Sequence, residues 1–314
     1  MNESGSAALS SEPTQAPFAQ WLAHELERFE ARAQAELPPI ERAPQRLHEA
    51  IRYAALGAGK RVRPLLVYGA GQCAHVAAET RILDCAALAV EFVHVYSLIH
   101  DDLPCMDDDV LRRGRPTVHV AFDEATAMLA GDALQAEAFR VLADAPAPSE
   151  VRAALMRELA HAIGTDGMCG GQAIDLDSTG QSLSLAELET MHRKKTGALL
   201  LASVRMGALS GGVDTGTLAA LDRYGRAIGL AFQIVDDVLD VEGTSEVLGK
   251  TAGKDAQKNK PTYVSVLGLA AARERAERLR RDAIAALEGI DTASGSAATL
   301  RLRQLADFIV LRSF

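Results

Sequence analysis

Apolar residues recur every three to four positions through most of this chain, and the recurrence stops at short clusters of Gly, Pro or charge. Phe18, Trp21, Leu22 and Leu26 open a first helical stripe over about 18–35. A second helix is expected over about 42–57, ending at the Gly57-Ala58-Gly59 break, and Pro64 opens a third that runs to about Cys73. The element expected over about 79–103 differs, because Ile82, Leu83, Ala86, Val90, Phe92, Val93, Val95 and Ile99 spread round several faces. A helix apolar nearly all round belongs in the middle of a bundle. It stops at Asp102-Leu103-Pro104, since proline disfavours helix in the residue before it. Further helices are expected at about 118–143, 149–163, 168–177, 185–209, 215–241, 262–288 and 294–312. Residues 242–260, rich in Gly, Lys, Thr and Asp, read as a mobile loop.

No sustained period-two Val/Ile/Thr pattern and no Asn-Gly or Asp-Gly hairpin signal interrupts this series. The fold class expected is all-α, one large antiparallel bundle over 18–314 with a central cleft, preceded by a disordered tail over 1–17. That tail lacks the basic and apolar regions of a signal peptide, and no uninterrupted apolar run reaches spanning length. No membrane insertion is therefore expected. A net charge of −9 opposes nucleic-acid binding and binding to an anionic membrane surface. Four cysteines without CxxC or zinc spacing suit free thiols and a cytoplasmic setting.

Charge changes the picture at two places. Asp101, Asp102, Asp107, Asp108 and Asp109 crowd the end of the apolar 79–103 helix, and Asp236, Asp237 and Asp240 crowd the end of the 215–241 helix. Carboxylates about 6 Å apart repel by roughly 3 kcal/mol at an effective dielectric near 20. A helix C-terminus already carries partial negative charge. Two such violations point to a site, and the natural neutraliser is a hard divalent cation. Asp236 and Asp240, four apart, share a helical face, as do His94, Ser97 and Asp101. Arg112, Arg113 and Arg115 follow the first cluster at once, which suits a metal-bridged anion. Lys60, Arg61 and Arg63 form a second basic group behind the glycine break. His100-Asp101 also fits a helical phosphohydrolase metal site, with His75 or His94 as the extra ligand, but that leaves the second acidic cluster unexplained.

The stretch Glu91 to Asp107 with Arg112-Arg113-Gly114 resembles the first aspartate-rich motif of trans-isoprenyl diphosphate synthases. Gly59-Lys60-Arg61-Val62-Arg63-Pro64 resembles that family's isopentenyl diphosphate-binding segment, and Phe232 to Asp240 resembles its second aspartate motif. Gly131-Asp132, Gly170-Gly171-Gln172 and Lys195-Thr196-Gly197 fall in the family's order, so the likeness covers roughly 18–312. Pro104 and Cys105 widen the first motif into the form found in the bacterial branch that makes farnesyl diphosphate.

The resemblance implies a homodimer that binds isopentenyl diphosphate and allylic diphosphates with three Mg²⁺ ions, for which Mn²⁺ substitutes. It implies metal ligation by Asp101, Asp102, Asp107, Asp236 and Asp240. It gives Lys60, Arg63, His94 and Arg113 to isopentenyl diphosphate, and Arg112, Lys195, Thr196, Gln233, Lys250 and Lys260 to the allylic side. Asp101, Asp107, Arg112, Lys195, Thr196, Gln233 and Asp236 are the implied catalytic set. Tyr96 and Ser97 are implied to set chain length, and 242–260 to form a lid. The C-terminus lacks the basic ending of many relatives. Synthesis of geranylgeranyl diphosphate, or a non-catalytic partner subunit, are the alternatives.

Overall fold

Helices occupy the chain where the apolar stripes place them, with breaks where polar caps or glycine intervene. The computed structural model describes residues 17–74, 76, 80–242, 261–290 and 297–311. They contain α1 (Phe18–Glu36), α2 (Gln45–Ala55), α3 (Val62–Cys73), α4 (Arg81–Asp101), α5 (Val118–Ala121), α6 (Glu124–Ala143) and α7 (Ser149–Ile163). Then come α8 (Met168–Asp177), α9 (Leu185–His192), a π-turn (Arg193–Gly197), α10 (Ala198–Leu209), α11 (Thr215–Glu242), α12 (Tyr263–Leu267), α13 (Leu269–Ala286) and α14 (Leu300–Val310). The strand pairing among them is a two-residue antiparallel hairpin, Leu111–Arg112 against Arg115–Pro116. The expected tail, save Pro17, and the expected lid, save Glu242, lie outside the described residues, as do His75, Lys250 and Lys260.

Helix α4 is the axis, packed by α3, α6 and α10, with α1 and α2 further out. It is long and apolar enough to cross a membrane, yet 83% of its most apolar window is buried inside the protein. Its two internal acids are paired, as burial requires. Asp84 meets Arg28 at 2.8 Å and Arg32 at 3.0 Å, and Glu91 meets Arg61 at 2.9 Å. The main core surrounds this helix through Leu65, Leu66, Leu88, Phe92, Leu134 and Leu200. A smaller core joins Leu188, Met191, Ile234, Val238, Tyr263 and Ala272. Helix α11 runs from one core to the other and carries the second acidic cluster.

Three expected elements are subdivided. The 118–143 helix breaks at Phe122-Asp123, where extended Asp123 caps α6 by accepting from the Thr126 amide at 2.7 Å. The 262–288 helix breaks at Gly268, whose φ of 81° is left-handed. The 185–209 helix passes through the π-turn. Pro64 is the third residue of α3 rather than its first, because Arg61, at φ 47°, is the N-cap.

Candidate active site

The end of α4 and the loop behind it form the first wall. The Asp107 amide donates to the Asp101 carbonyl at 2.8 Å, and the Asp109 amide to the Asp102 carbonyl at 3.1 Å. This fold-back brings the second aspartate group of the motif beside the first. Burial pushes the Asp101 carboxyl up to about 6, with Asp107 and Asp102 adding to the rise and Lys195 opposing it. Asp102 is differently placed. It is buried, and Arg112 grips both of its oxygens, Nε at 2.9 and 2.8 Å and Nη2 at 2.5 Å. Expected as a metal ligand and an allylic diphosphate contact, these two are here bound to each other.

A basic wall lies beside it. Gly59 lets Arg113 pass, since a Cβ there would lie 2.6 Å from its Nη1. The Arg113 guanidinium donates to the Ala58 carbonyl, which joins the two basic segments that sequence keeps far apart. Burial and the surrounding Arg63, Arg113 and Arg112 charges hold the His94 imidazole well below its usual range, so it is neutral at pH 7. Burial draws Arg63 down to about 10, against the pull of Glu91 and of Asp236 from α11, and its Nε has no hydrogen-bond partner among the described residues. Lys60 is exposed beside this group. Arg61 is not part of it: it points inward to Glu30 and Glu91 and to the Ala55 and Gly57 carbonyls.

The π-turn supplies the third wall. A Cβ on Gly171 would lie 2.1 Å from the Lys195 amide nitrogen, so glycine there lets α8 reach the turn. Lys195 Nζ then meets Asp175 at 2.6 Å. The Thr196 hydroxyl donates to Gln233 Oε1 at 3.0 Å, the Gln233 amide donates to Asp237 at 2.8 Å, and Asp237 accepts from the Tyr263 amide at 2.8 Å. Buried Asp237 thus ties α11 to the start of α12, while Asp236 is only half-buried.

The three walls enclose a cavity of about 460 Å³. Arg63, His94, Asp101, Lys195 and Thr196 border it, together with Tyr96, Ser97 and Leu98 of α4, Met128 of α6 and Met168, Cys169, Ala173 and Leu176 of α8. Arg63, Asp101 and Lys195 bring charge to its lining, which is otherwise largely apolar. A model of the family described as polyprenyl synthetase matches residues 44–290.

The chain belongs to the polyprenyl synthetase family.

This polyprenyl synthetase is 51% identical to farnesyl diphosphate synthase of Escherichia coli (strain K12) over 280 residues, 88% of this chain and 91% of that protein. It is 47% identical to farnesyl diphosphate synthase of Haemophilus influenzae over 94% of this chain and 98% of that one. Among solved structures it is similar to a geranyltransferase from Helicobacter pylori complexed with magnesium and isoprenyl diphosphate. The TM-score is 0.85 and identity 33%, over 96% of this chain and 100% of that one.

One contributor to the site, Asp175, escapes a reading by motif. Asp175 lies three residues after Gln172 on α8, one helical turn away, and that spacing was the available signal. Asp237 sits inside the recognised motif but faces α12 rather than the cavity. Among the described residues no three His, Cys, Asp or Glu side chains converge as a metal cage. The donors that the fold-back brings together, Asp101 and Asp107, are hard carboxylate oxygens, the donor type of Mg²⁺, which takes one or two protein carboxylates and fills its shell with water and substrate phosphate.

Proposed function

We propose that this polyprenyl synthetase condenses isopentenyl diphosphate with dimethylallyl and then geranyl diphosphate, giving farnesyl diphosphate and releasing diphosphate. The observation that carries the reading is one cavity lined both by charged Asp101, Lys195 and Arg63 and by apolar side chains, whose α4 wall includes buried Tyr96. The charged groups suit a diphosphate head and the apolar lining a prenyl tail. Asp101, Asp107, Asp236 and Asp240, with Asp102 once Arg112 releases it, are the carboxylates that would hold Mg²⁺ or Mn²⁺. The cation, when bound, neutralises charge developing on the departing diphosphate.

The chain's own groups do the rest. Lys195, held by Asp175, and Thr196, held by Gln233, present a cation and a hydroxyl to the allylic head. Arg112 serves the same head if it exchanges Asp102 for phosphate. Arg63, Arg113, Lys60 and neutral His94 bind the diphosphate of isopentenyl diphosphate and orient its double bond toward the allylic carbon. The apolar walls exclude water from the allylic cation. No protein group is assigned as a dedicated base, and released diphosphate takes the proton. Lys250 and Lys260 belong to the proposed lid, and the enzyme is proposed as a cytoplasmic homodimer without membrane insertion.

Chromatography of products from geranyl plus isopentenyl diphosphate tests the reading. The expected product is C15, and Tyr96→Ala is expected to shift products to C20 and beyond. A wild-type C20 product would instead assign geranylgeranyl diphosphate synthesis. An inactive chain that gains turnover only with a homologous partner would assign the non-catalytic subunit.

A further inference from the structure

His100 is adjacent to Asp101, and its Nε2 lies 4.0 Å from the Asp132 carboxylate of α6. Its ring lies edge-on to the Tyr96 ring, centroids 5.7 Å apart at 70°. Its Nε2 is 3.0 Å from the Met128 carbonyl. A carbonyl only accepts, so Nε2 carries the proton and the tautomer is set. Behind the ring lies Gly131, where a Cβ would stand 2.1 Å from Nε2 and 2.5 Å from Cδ2. The space His100 occupies therefore exists because residue 131 has no side chain. Both His100 and Met128 border the cavity, and the Tyr96 hydroxyl has no well-formed hydrogen bond among the described residues. Cys169 of α8 is the polar neighbour of that hydroxyl, and the imidazole against the ring's edge limits where the ring can go.

We propose that His100, seated in the notch at Gly131 and pinned by the Met128 carbonyl, is a positioning residue for product length: it holds Tyr96 across the tail cavity. The inference rests on the reading of Tyr96 as the cavity floor and adds a second layer to it. Removing the imidazole lets the Tyr96 ring swing aside and opens the cavity. Adding a methyl at 131 drives the imidazole off Met128 and into the Tyr96 ring, which narrows it.

The test is the product distribution of Tyr96→Ala, His100→Ala, His100→Gln, Gly131→Ala and the double variant Gly131→Ala/His100→Ala, using dimethylallyl and isopentenyl diphosphates. His100→Ala is expected to raise the C20-to-C15 ratio by about tenfold, the scale on which a pocket discriminates apolar extensions. His100→Gln, which can still donate to Met128, is expected to return toward C15. Gly131→Ala is expected to raise the share released at C10, and that effect is expected to vanish in the double variant, as coupled residues require. An unchanged product ratio in folded, active His100→Ala overturns the proposal, whatever Tyr96→Ala gives. Unchanged C15 from Tyr96→Ala with lengthened products from His100→Ala overturns the floor reading and leaves His100 as the limiting wall. If Gly131→Ala does not fold, the His100 variants decide alone.

Discussion

At the scale of single residues, Arg61 and Arg63 are two positions apart and serve opposite ends. Arg61 is fully enclosed and its guanidinium is consumed by Glu30, Glu91 and two carbonyls. Arg63 is as deeply placed but keeps an unpartnered Nε, and burial holds its pKa down, so an arriving anion would relieve it. Lys60→Ala and Arg63→Ala are expected to raise KM for isopentenyl diphosphate by about tenfold or more and to change the allylic KM little. Separate Michaelis constants for the two substrates check this, and equal effects on both would return the segment to a general folding role. His192 shows a second kind of residue effect. It is buried against the Tyr263 ring at 5.4 Å, and neither ring nitrogen has a hydrogen-bond partner among the described residues. Burial lowers its pKa to about 4, with Lys195 adding to the fall and Asp175 opposing it. The unfolded chain takes this proton near pH 6.5 and the native protein only near pH 4, so the unfolded state binds more protons between them. Native stability is therefore lost as pH is lowered through that window, by up to about 3 kcal/mol from this group. Urea midpoints measured from pH 7 to 4 are expected to fall less steeply for His192→Phe than for the parent.

At the scale of elements, close helix approach depends on small residues at the crossings. Gly207 of α10 faces the Val67 carbonyl of α3, and a Cβ there would lie 2.3 Å from that oxygen. Backbone cannot yield as a side chain does, so the helices would separate. Gly207→Ala is expected to destabilise by about 1–3 kcal/mol, read from the urea midpoint, and an unchanged midpoint would show that the crossing relaxes freely. The element boundaries show what local pattern can carry. The all-round apolar α4 and its stop before Pro104 were legible, because both follow from side-chain hydrophobicity and proline sterics. The break at Asp123 had a signal in the Asp-x-x-Thr capping pair, which competes with a helical stripe running past it. The π-turn at Arg193–Gly197 had only a weak signal, a polar interruption in an apolar run.

At the scale of the whole molecule, the site is assembled from α3, α4, α8, the π-turn and α11, which come together only through the packed core. The expectation at this scale is a divalent-cation requirement. Chelation is expected to abolish turnover and Mg²⁺ to restore it, and full turnover in a metal-free assay would remove the metal from the mechanism. Asp101→Ala and Asp236→Ala, each lacking one carboxylate of a wall, are expected to lower turnover by about a hundredfold or more with the fold retained by circular dichroism. Near-normal turnover in either variant would move that residue out of the catalytic set.

The sequence by itself determined which residues share a helical face and which segments crowd like charge, because both are local consequences of a 3.6-residue period and of Coulomb repulsion. It therefore carried the all-α class, the two acidic clusters, the basic segments and the motif order of the family. Only the tertiary structure decided which distant residues meet. Asp175 restrains Lys195 across twenty positions, Arg113 reaches Ala58, and Gly131 makes the notch that His100 fills. Tyr96 is the plainest case. Helical counting sets it about 140° from Asp101, yet both border one cavity, because that cavity wraps round α4 between α6 and α8. Periodicity describes one helix, whereas a pocket is the space that several packed helices leave unfilled.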